Sequence, residues 1–193
     1  MTFNAQEPEL ASNVSGDPKW GVSAAPAPVP APQAELEATR RAATPEEAID
    51  RLKGLLPKLP EGDQADVAQA RLNELEKVLA AARTARLNPD IATFAATLPP
   101  RLAEDAARAV RGDKYAALRV AESLPKPPSG ELIERSDHGR WMIFAAYLGN
   151  GIAAYALSEH FRNVDRRDTE AARFLNLARS HNYTPPRQLD QRR

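Results

Sequence analysis

The chain has 193 residues, a length that supports one domain of ordinary size. Its 26 Lys and Arg residues balance 26 Asp and Glu residues, so no overall field draws the protein to nucleic acid or to anionic lipid. It contains no cysteine, which excludes disulfide scaffolds, cysteine-ligated zinc or iron–sulfur sites and thiol catalysis.

The first 43 residues have the composition of an extended tail. Proline occupies every second position from Pro26 to Pro32, and because proline fixes φ and lacks an amide donor, this run favours polyproline II. Over residues 1–39, five acidic residues face a single lysine. We expect residues 1–43 to form a disordered acidic tail in which Trp20 is a candidate anchor for docking.

The opening residues show no basic segment followed by an apolar run, the pattern of a cleaved secretory signal. We therefore expect a cytoplasmic protein, with export by a route independent of a signal peptide as the alternative. Residues 141–158 carry no charge over 18 positions, the length at which a membrane-spanning helix becomes conceivable. Gly149 and Gly151 stand at the centre of this stretch, so we expect no membrane span.

Residues 44–111 predict several helices separated by proline and polar breaks. Thr44 can cap a helix whose first residue is Pro45, a position where the missing amide hydrogen has no helical partner to lose. A longer helix over about 63–86 is followed by two shorter ones within 88–111. Apolar residues of the long helix recur at alternating steps of four and three: Ala68, Leu72, Leu75, Leu79 and Ala82. No stretch alternates with a period of two, so we predict an all-α protein.

An internal repeat dominates the C-terminal half. The segment 112–124 matches the segment 149–161 at an offset of 37, sharing glycine, paired alanines and glutamate. A further helical segment follows each of them, at 140–149 and 173–182, with an offset of 33. Two helix pairs of this length are typical of α-solenoids, in which stacking buries the apolar face of each pair.

These helix pairs resemble the Sel-one-like repeat, a relative of the tetratricopeptide repeat, over residues 112–185. The most diagnostic positions of the family are matched by Trp141, Met142, Ala145, Ala146 and Gly149. In the second pair Arg179 and Asn182 replace alanine and glycine, which favours a terminal capping unit. The resemblance implies a right-handed α-solenoid of antiparallel helix pairs. It also implies a non-enzymatic adaptor or scaffold that binds other proteins, often within bacterial signalling, secretion or envelope-associated assemblies.

We thus predict a tail at 1–43, a helical part at 44–111 formed by degenerate repeats or a cap, two repeats at 112–185 and a basic tail at 186–193. Candidate partner-binding positions are large side chains near the repeat turns, one arginine and the tail tryptophan: Tyr115, Arg119, Tyr147, Tyr155 and Trp20. The expected partner is another protein. The tail and the C-terminal segment carry opposite excess charge, so the tail is also a candidate for intramolecular or head-to-tail docking.

Nucleic-acid binding is the alternative function, because residues 160–193 carry eight arginines against four acidic residues. No aromatic residues interleave with these arginines as in a single-strand binding platform. Enzyme activity is the lesser alternative. The histidines His138, His160 and His181 show no metal-ligand spacing, and no phosphate-cradling loop is present in the sequence. We therefore predict no catalytic, metal or cofactor site.

Overall fold

A computed structural model describes residues 31–42, 44–87 and 97–185, and the regular structure within these ranges is entirely helical. The all-α prediction is confirmed for this part of the chain. Its eight α-helices are α1 Ala31–Arg40, α2 Pro45–Leu55, α3 Asp63–Thr84, α4 Pro100–Ala109, α5 Lys114–Ser123, α6 Asp137–Tyr147, α7 Gly151–Asn163 and α8 Asp168–Ser180. Short 3₁₀ turns, Leu56–Lys58 and Ile133–Arg135, follow α2 and precede α6.

Helix α1 corrects the predicted extent of the tail. It begins at Ala31, within the segment 1–43 that was expected to lack structure. Pro32 lies in the first turn, where its missing amide hydrogen is not needed, and good helix formers follow it. Leu36 packs against an apolar cluster centred on α2, and this tertiary burial supplies the stabilisation that composition alone did not predict. Residues 1–30 lie outside the described ranges.

Two apolar clusters form the interior, and α3 contributes to both. The smaller cluster joins α2 to the first half of α3, with Leu52 and Leu75 at 0% and 2% exposure. The larger cluster begins at Val78 and extends to α8. Leu79 and Ala82 of the predicted seam are half-buried. The buried residues instead take three consecutive steps of three, from Leu72 through Leu75 and Val78 to Ala81, which turn the buried side of α3 toward the larger cluster. The packing boundary therefore falls inside α3, not between the two predicted helical parts.

Helices α5, α6 and α7 alternate in direction. The ring Nδ1 of His138, at the start of α6, lies 2.8 Å from the carbonyl oxygen of Ala121 near the end of α5. At the start of α7, Asn150 Nδ2 donates to the carbonyl oxygen of Lys114 at the start of α5, at 3.1 Å. Helices α5 and α7 thus run the same way, with α6 antiparallel to both, and α8 packs along α7 after a short turn.

Residues matched by the sequence repeat are equivalent in burial. The first helices of both pairs bury small residues and one larger apolar residue at matched positions, all at 0% exposure: Ala116 and Ala153, Ala117 and Ala154, Val120 and Leu157. In the second helices, Trp141 and Phe174 are 2% and 5% exposed. The apolar pattern that defines the repeat therefore corresponds to the packed side of each helix.

Helices α4, α6 and α8 end in the same backbone conformation. Gly112, Gly149 and Asn182 follow their last turns with φ of 102°, 97° and 57°. In each case the next amide donates to a carbonyl five residues back, at 3.1, 3.0 and 3.1 Å respectively. This is the Schellman arrangement of a helix C-terminus. Asn182 thus adopts the left-handed conformation of the glycine that it replaces, because asparagine tolerates this region better than most residues.

The outer side of α8 is polar. Its exposed residues are Asp168, Thr169, Ala172, Arg173, Asn176, Arg179 and Ser180. These side chains are exposed because no other helix of the described residues covers this side of α8. The basic tail predicted at 186–193 lies outside the described residues.

The uncharged stretch 141–158 is divided between two helices. Helix α6 ends at Tyr147 and α7 begins at Gly151, with a turn between them. Among the helices of the described ranges, none combines the length and apolar character required to cross a bilayer.

Candidate functional site

The starts of α5 and α7 are built alike. Asp113 caps α5, with its Oδ1 accepting hydrogen bonds from the amides of Tyr115 and Ala116 at 3.0 Å each. Asn150 caps α7, with its Oδ1 accepting from the amide of Ala153 at 3.1 Å. A cap of this kind stabilises a helix by about 1 kcal/mol. Both helices therefore begin at a fixed residue, which determines the side chains that project from their first turns.

Two hydrogen bonds join these helix starts to each other. Lys114 Nζ donates to the carbonyl oxygen of Gly149 at 3.1 Å, and Asn150 Nδ2 donates to the carbonyl oxygen of Lys114 at 3.1 Å. Asn150 is 2% exposed, so the protein itself satisfies its amide. Helices α5 and α7 run the same way and both pack on α6, and these two bonds place their starts beside each other.

Large apolar side chains are exposed at matched positions of this surface. Tyr115 and Ile152, which are related by the offset of 37, are 55% and 50% exposed. In the described part of the chain only Val67 and Val164 are large apolar residues of similar exposure. We define the α5/α7 face by five exposed residues of the two helices and the half-buried Glu159: Tyr115, Arg119, Glu122, Ile152, Ala156 and Glu159. An apolar patch on such a face is typical of a binding surface.

Tyr155 borders this patch. Its half-buried ring lies 5.4 Å from the ring of Tyr183, between centroids. Gly151 permits this approach, since a Cβ at that position would lie 2.5 Å from the Cβ of Tyr183. Burial raises the pKa of the Tyr155 phenol, and the negative charge of Glu159 raises it further. Tyr155 is therefore partly engaged in packing and senses the acidic residue one turn away.

Arg119 is engaged within the protein. Its Nε and Nη2 donate to the two carboxylate oxygens of Asp105 on α4, at 2.9 and 2.5 Å. The hydrogen bond from Arg119 holds the pKa of Asp105 below its usual value. A guanidinium held by two bonds has a fixed orientation. Arg119 therefore links α5 to α4, and the carboxylate of Asp105 neutralises its charge.

Tyr147 packs between α6 and α8. Its ring centroid lies 6.1 Å from that of Phe174, edge to face, and the guanidinium of Arg173 lies 5.7 Å from the centroid of the same ring. These contacts leave Tyr147 half-buried. The structure thus brings Tyr115, Arg119 and Tyr155 to the α5/α7 side and Tyr147 to a contact with the last helix. Trp20 lies outside the described residues.

Acidic side chains occupy matched positions at the other end of the α5/α7 face. Glu122 and Glu159 follow Tyr115 and Ile152 by seven residues in their helices. Glu159 accepts hydrogen bonds from its neighbours one turn further along, Arg162 and Asn163, at 3.3 and 3.4 Å. Glu122 is exposed, and within the described residues its carboxylate has no hydrogen-bond or ion-pair partner. The face is therefore apolar where the helices begin and acidic toward their ends.

The histidines lie at three separate places. His138 ties α5 to α6, and His160 Nε2 lies 3.4 Å from Asp165 Oδ1 at the end of α7. The ring of His181 lies beside Gly149, where an added Cβ would meet its Nδ1 at 3.8 Å. In the described ranges, no three side chains of the metal-binding types converge as a metal site requires.

Two arginines of the C-terminal helices form ion pairs. Arg162 pairs with Glu159, and Arg167 bridges Glu134 and Glu170. The pKa of the Arg167 guanidinium is raised, first by its hydrogen bond to Glu134 and then by that to Glu170. The local excess of arginine that the sequence shows is therefore partly neutralised where these helices meet.

Ile152 is the functional candidate that sequence reasoning missed. The signal was present in the sequence, since Ile152 stands at the repeat offset from Tyr115, which was selected as a large residue near a repeat turn. Comparison of the chain with known proteins gives no matching family model, no matching curated protein and no matching solved structure.

Proposed function

We propose that this chain is a helical-repeat protein without catalytic activity, whose role is to bind another protein. In this proposal α5–α8 form two pairs of a right-handed solenoid of the Sel-one-like kind, and α4 ends a preceding pair. The chain then acts as an adaptor or scaffold of the cytoplasm, in a bacterial signalling or secretion-related assembly. Docking of the acidic N-terminal segment on the body stays a separate prediction.

The observation that carries the proposal is the exposure of Tyr115 and Ile152 at matched positions of two adjoining helix starts. Leaving two large apolar side chains about half in water forgoes roughly 1 kcal/mol each in burial. A single exposed apolar residue is ordinary, but a matched pair on rigid, capped helices supplies a preformed anchor site. A protein partner covers such a site well, because interface cores are apolar and aromatic.

Nucleic-acid binding is less well supported by the same residues. Arg162 and Arg167 would have to leave carboxylate partners before they could contact phosphate. The α5/α7 face also ends in Glu122, whose carboxylate has no partner within the described residues and would repel a phosphate backbone. We therefore retain protein binding as the one proposed function.

Affinity capture from the native host tests this proposal. The full chain and a Tyr115→Ala/Ile152→Ala variant are used as baits, with Val67→Ala/Val164→Ala as the matched control. We expect a protein that the wild type and the control capture and the first variant loses, with unchanged helical content for all three baits. Equal capture by all baits, or capture that depends on nucleic acid in the extract, would refute the proposal.

A further inference from the structure

The α5/α7 face has a direction, because each of its helices presents the same kinds of side chain in the same order. Tyr115 and Ile152 project near the helix starts, and Glu122 and Glu159 project seven residues later. Seven residues of α-helix span about 10.5 Å. The two apolar residues and the two carboxylates are therefore separated by the length of about three residues of extended chain.

The middle of the α5/α7 face carries no unpaired charge and has a small side chain on α7. Arg119 is neutralised by two hydrogen bonds to Asp105, and the matched residue on α7 is the exposed Ala156. A segment crossing from the apolar end to the acidic end thus meets no unpaired charge on the way. Small side chains at this point let a backbone approach the helix surface.

The acidic end attracts cations for two physical reasons. The carboxylate of Glu122 has no partner within the described residues, and that of Glu159, which accepts from Arg162 and Asn163, lies at the matched position of α7. The end of α5 also carries the negative end of a helix dipole, which favours a nearby cation.

From this arrangement we infer that the α5/α7 face binds an extended protein segment with a large apolar side chain and, three residues from it, a lysine or arginine. The apolar side chain packs on Tyr115 and Ile152, and the cation lies between Glu122 and Glu159. This inference rests on the proposed function and adds the chemistry of the partner. The favoured ligand is thus a basic segment with one apolar anchor, not an acidic or a purely apolar segment.

Selection from a displayed library of random linear peptides tests the inference with the full chain as target. We expect enriched peptides to carry an apolar residue and a basic residue at this spacing. A Glu122→Gln/Glu159→Gln variant should bind them about fivefold to tenfold more weakly, the loss expected for one partly exposed charge-assisted contact. A Glu122→Lys/Glu159→Lys variant, selected in the same way, should favour an acidic residue at the basic position.

Other outcomes separate this inference from the proposed function. If enriched peptides need Tyr115 and Ile152 but show no basic residue, the inference is wrong and the proposed function stands. If they bind Tyr115→Ala/Ile152→Ala as well as the wild type, both are wrong for this face. A library that yields no peptide also overturns the inference, since a preformed site should bind linear segments. Val67→Ala/Val164→Ala serves as the folded control and should bind like the wild type.

Discussion

Asn150 and Asp113 cap α7 and α5 at equivalent positions, yet Asn150→Asp should lower the free energy of unfolding by more than Asp113→Asn. Asn150→Asp keeps an oxygen that can accept from the amide of Ala153. It replaces the Nδ2 donor with a second oxygen facing the carbonyl of Lys114, at a position that is 2% exposed. Asp113→Asn makes the reverse exchange, and a cap oxygen remains for the start of α5.

The magnitudes follow from burial. Loss of the Asn150 donor removes its hydrogen bond to the carbonyl of Lys114 and places a buried carboxylate against that oxygen, which should cost about 2–3 kcal/mol. For a chain of this size that corresponds to a fall in Tm of about 4–12 °C. Asp113→Asn loses one ion pair with Arg108, whose side chain is 51% exposed, and this should cost less than about 1 kcal/mol.

Urea unfolding followed by far-ultraviolet circular dichroism measures both differences. The urea concentration at the midpoint of unfolding should fall clearly for Asn150→Asp and little for Asp113→Asn. The dependence of the unfolding free energy on urea (the m value) should be the same for both variants, which would show that both unfold from the same folded state. The deficit of Asn150→Asp should also shrink as pH falls, because the protonated acid regains a donor for the carbonyl of Lys114. Equal costs for the two exchanges, or a pH-independent deficit, would refute the buried link between α5 and α7.

Further predictions follow from single contacts. Gly139→Ala should lower stability by about 3 kcal/mol in thermal unfolding, because the added Cβ would lie 1.8 Å from the carbonyl oxygen of Ile133. Gly54→Ala, with open space around the added Cβ, should instead stabilise α2 by about 0.5–1 kcal/mol. Ser158→Ala should be neutral or stabilising by about 1 kcal/mol in urea unfolding, since the hydroxyl is fully buried and unpaired, and a clear loss would reveal a missed partner. Asp105 has a lowered folded-state pKa, so its contribution is present above about pH 4 and is lost as pH falls through the folded value. Asp105→Asn should flatten the acid side of the stability profile, and an unchanged profile would contradict the pairing with Arg119.

Turn chemistry made the helices predictable from sequence. Thr44 accepts from the amide of Glu47 at 3.2 Å, as the capping pattern predicts, and α3 ends two residues before its predicted limit. Burial along α3 was less predictable, since its apolar residues allow more than one seam. The side that becomes buried is set by whichever neighbour lies opposite, α2 first and then α6. Helix α1 was missed for a similar reason, because it is stabilised by packing on the apolar cluster around α2, and this contact is not visible in its own sequence.

The candidate site was predictable only in part. Tyr115 could be chosen from its place after a repeat turn, and it is exposed. Arg119 looked equally available, but its partner Asp105 lies 14 residues earlier, and only the antiparallel packing of α4 on α5 brings the two together. Residue type could not distinguish Tyr147 from Tyr115. The ring of Tyr147 is half-buried because it contacts Phe174 of another helix, and the sequence does not show this contact. Sequence thus shows which residues are capable of binding, and packing decides which of them are free.

The two kinds of matched position in the repeat have different physical origins. Inward positions such as Ala116 and Ala153 must match, because each first helix has to approach α6 closely. Packing places no such demand on outward positions, and at the middle of the α5/α7 face the repeat indeed diverges from arginine to alanine. The apolar and acidic ends nevertheless agree in kind between the helices. Similar chemistry where packing does not require it supports the proposal that a ligand spanning both helices contacts the outward side.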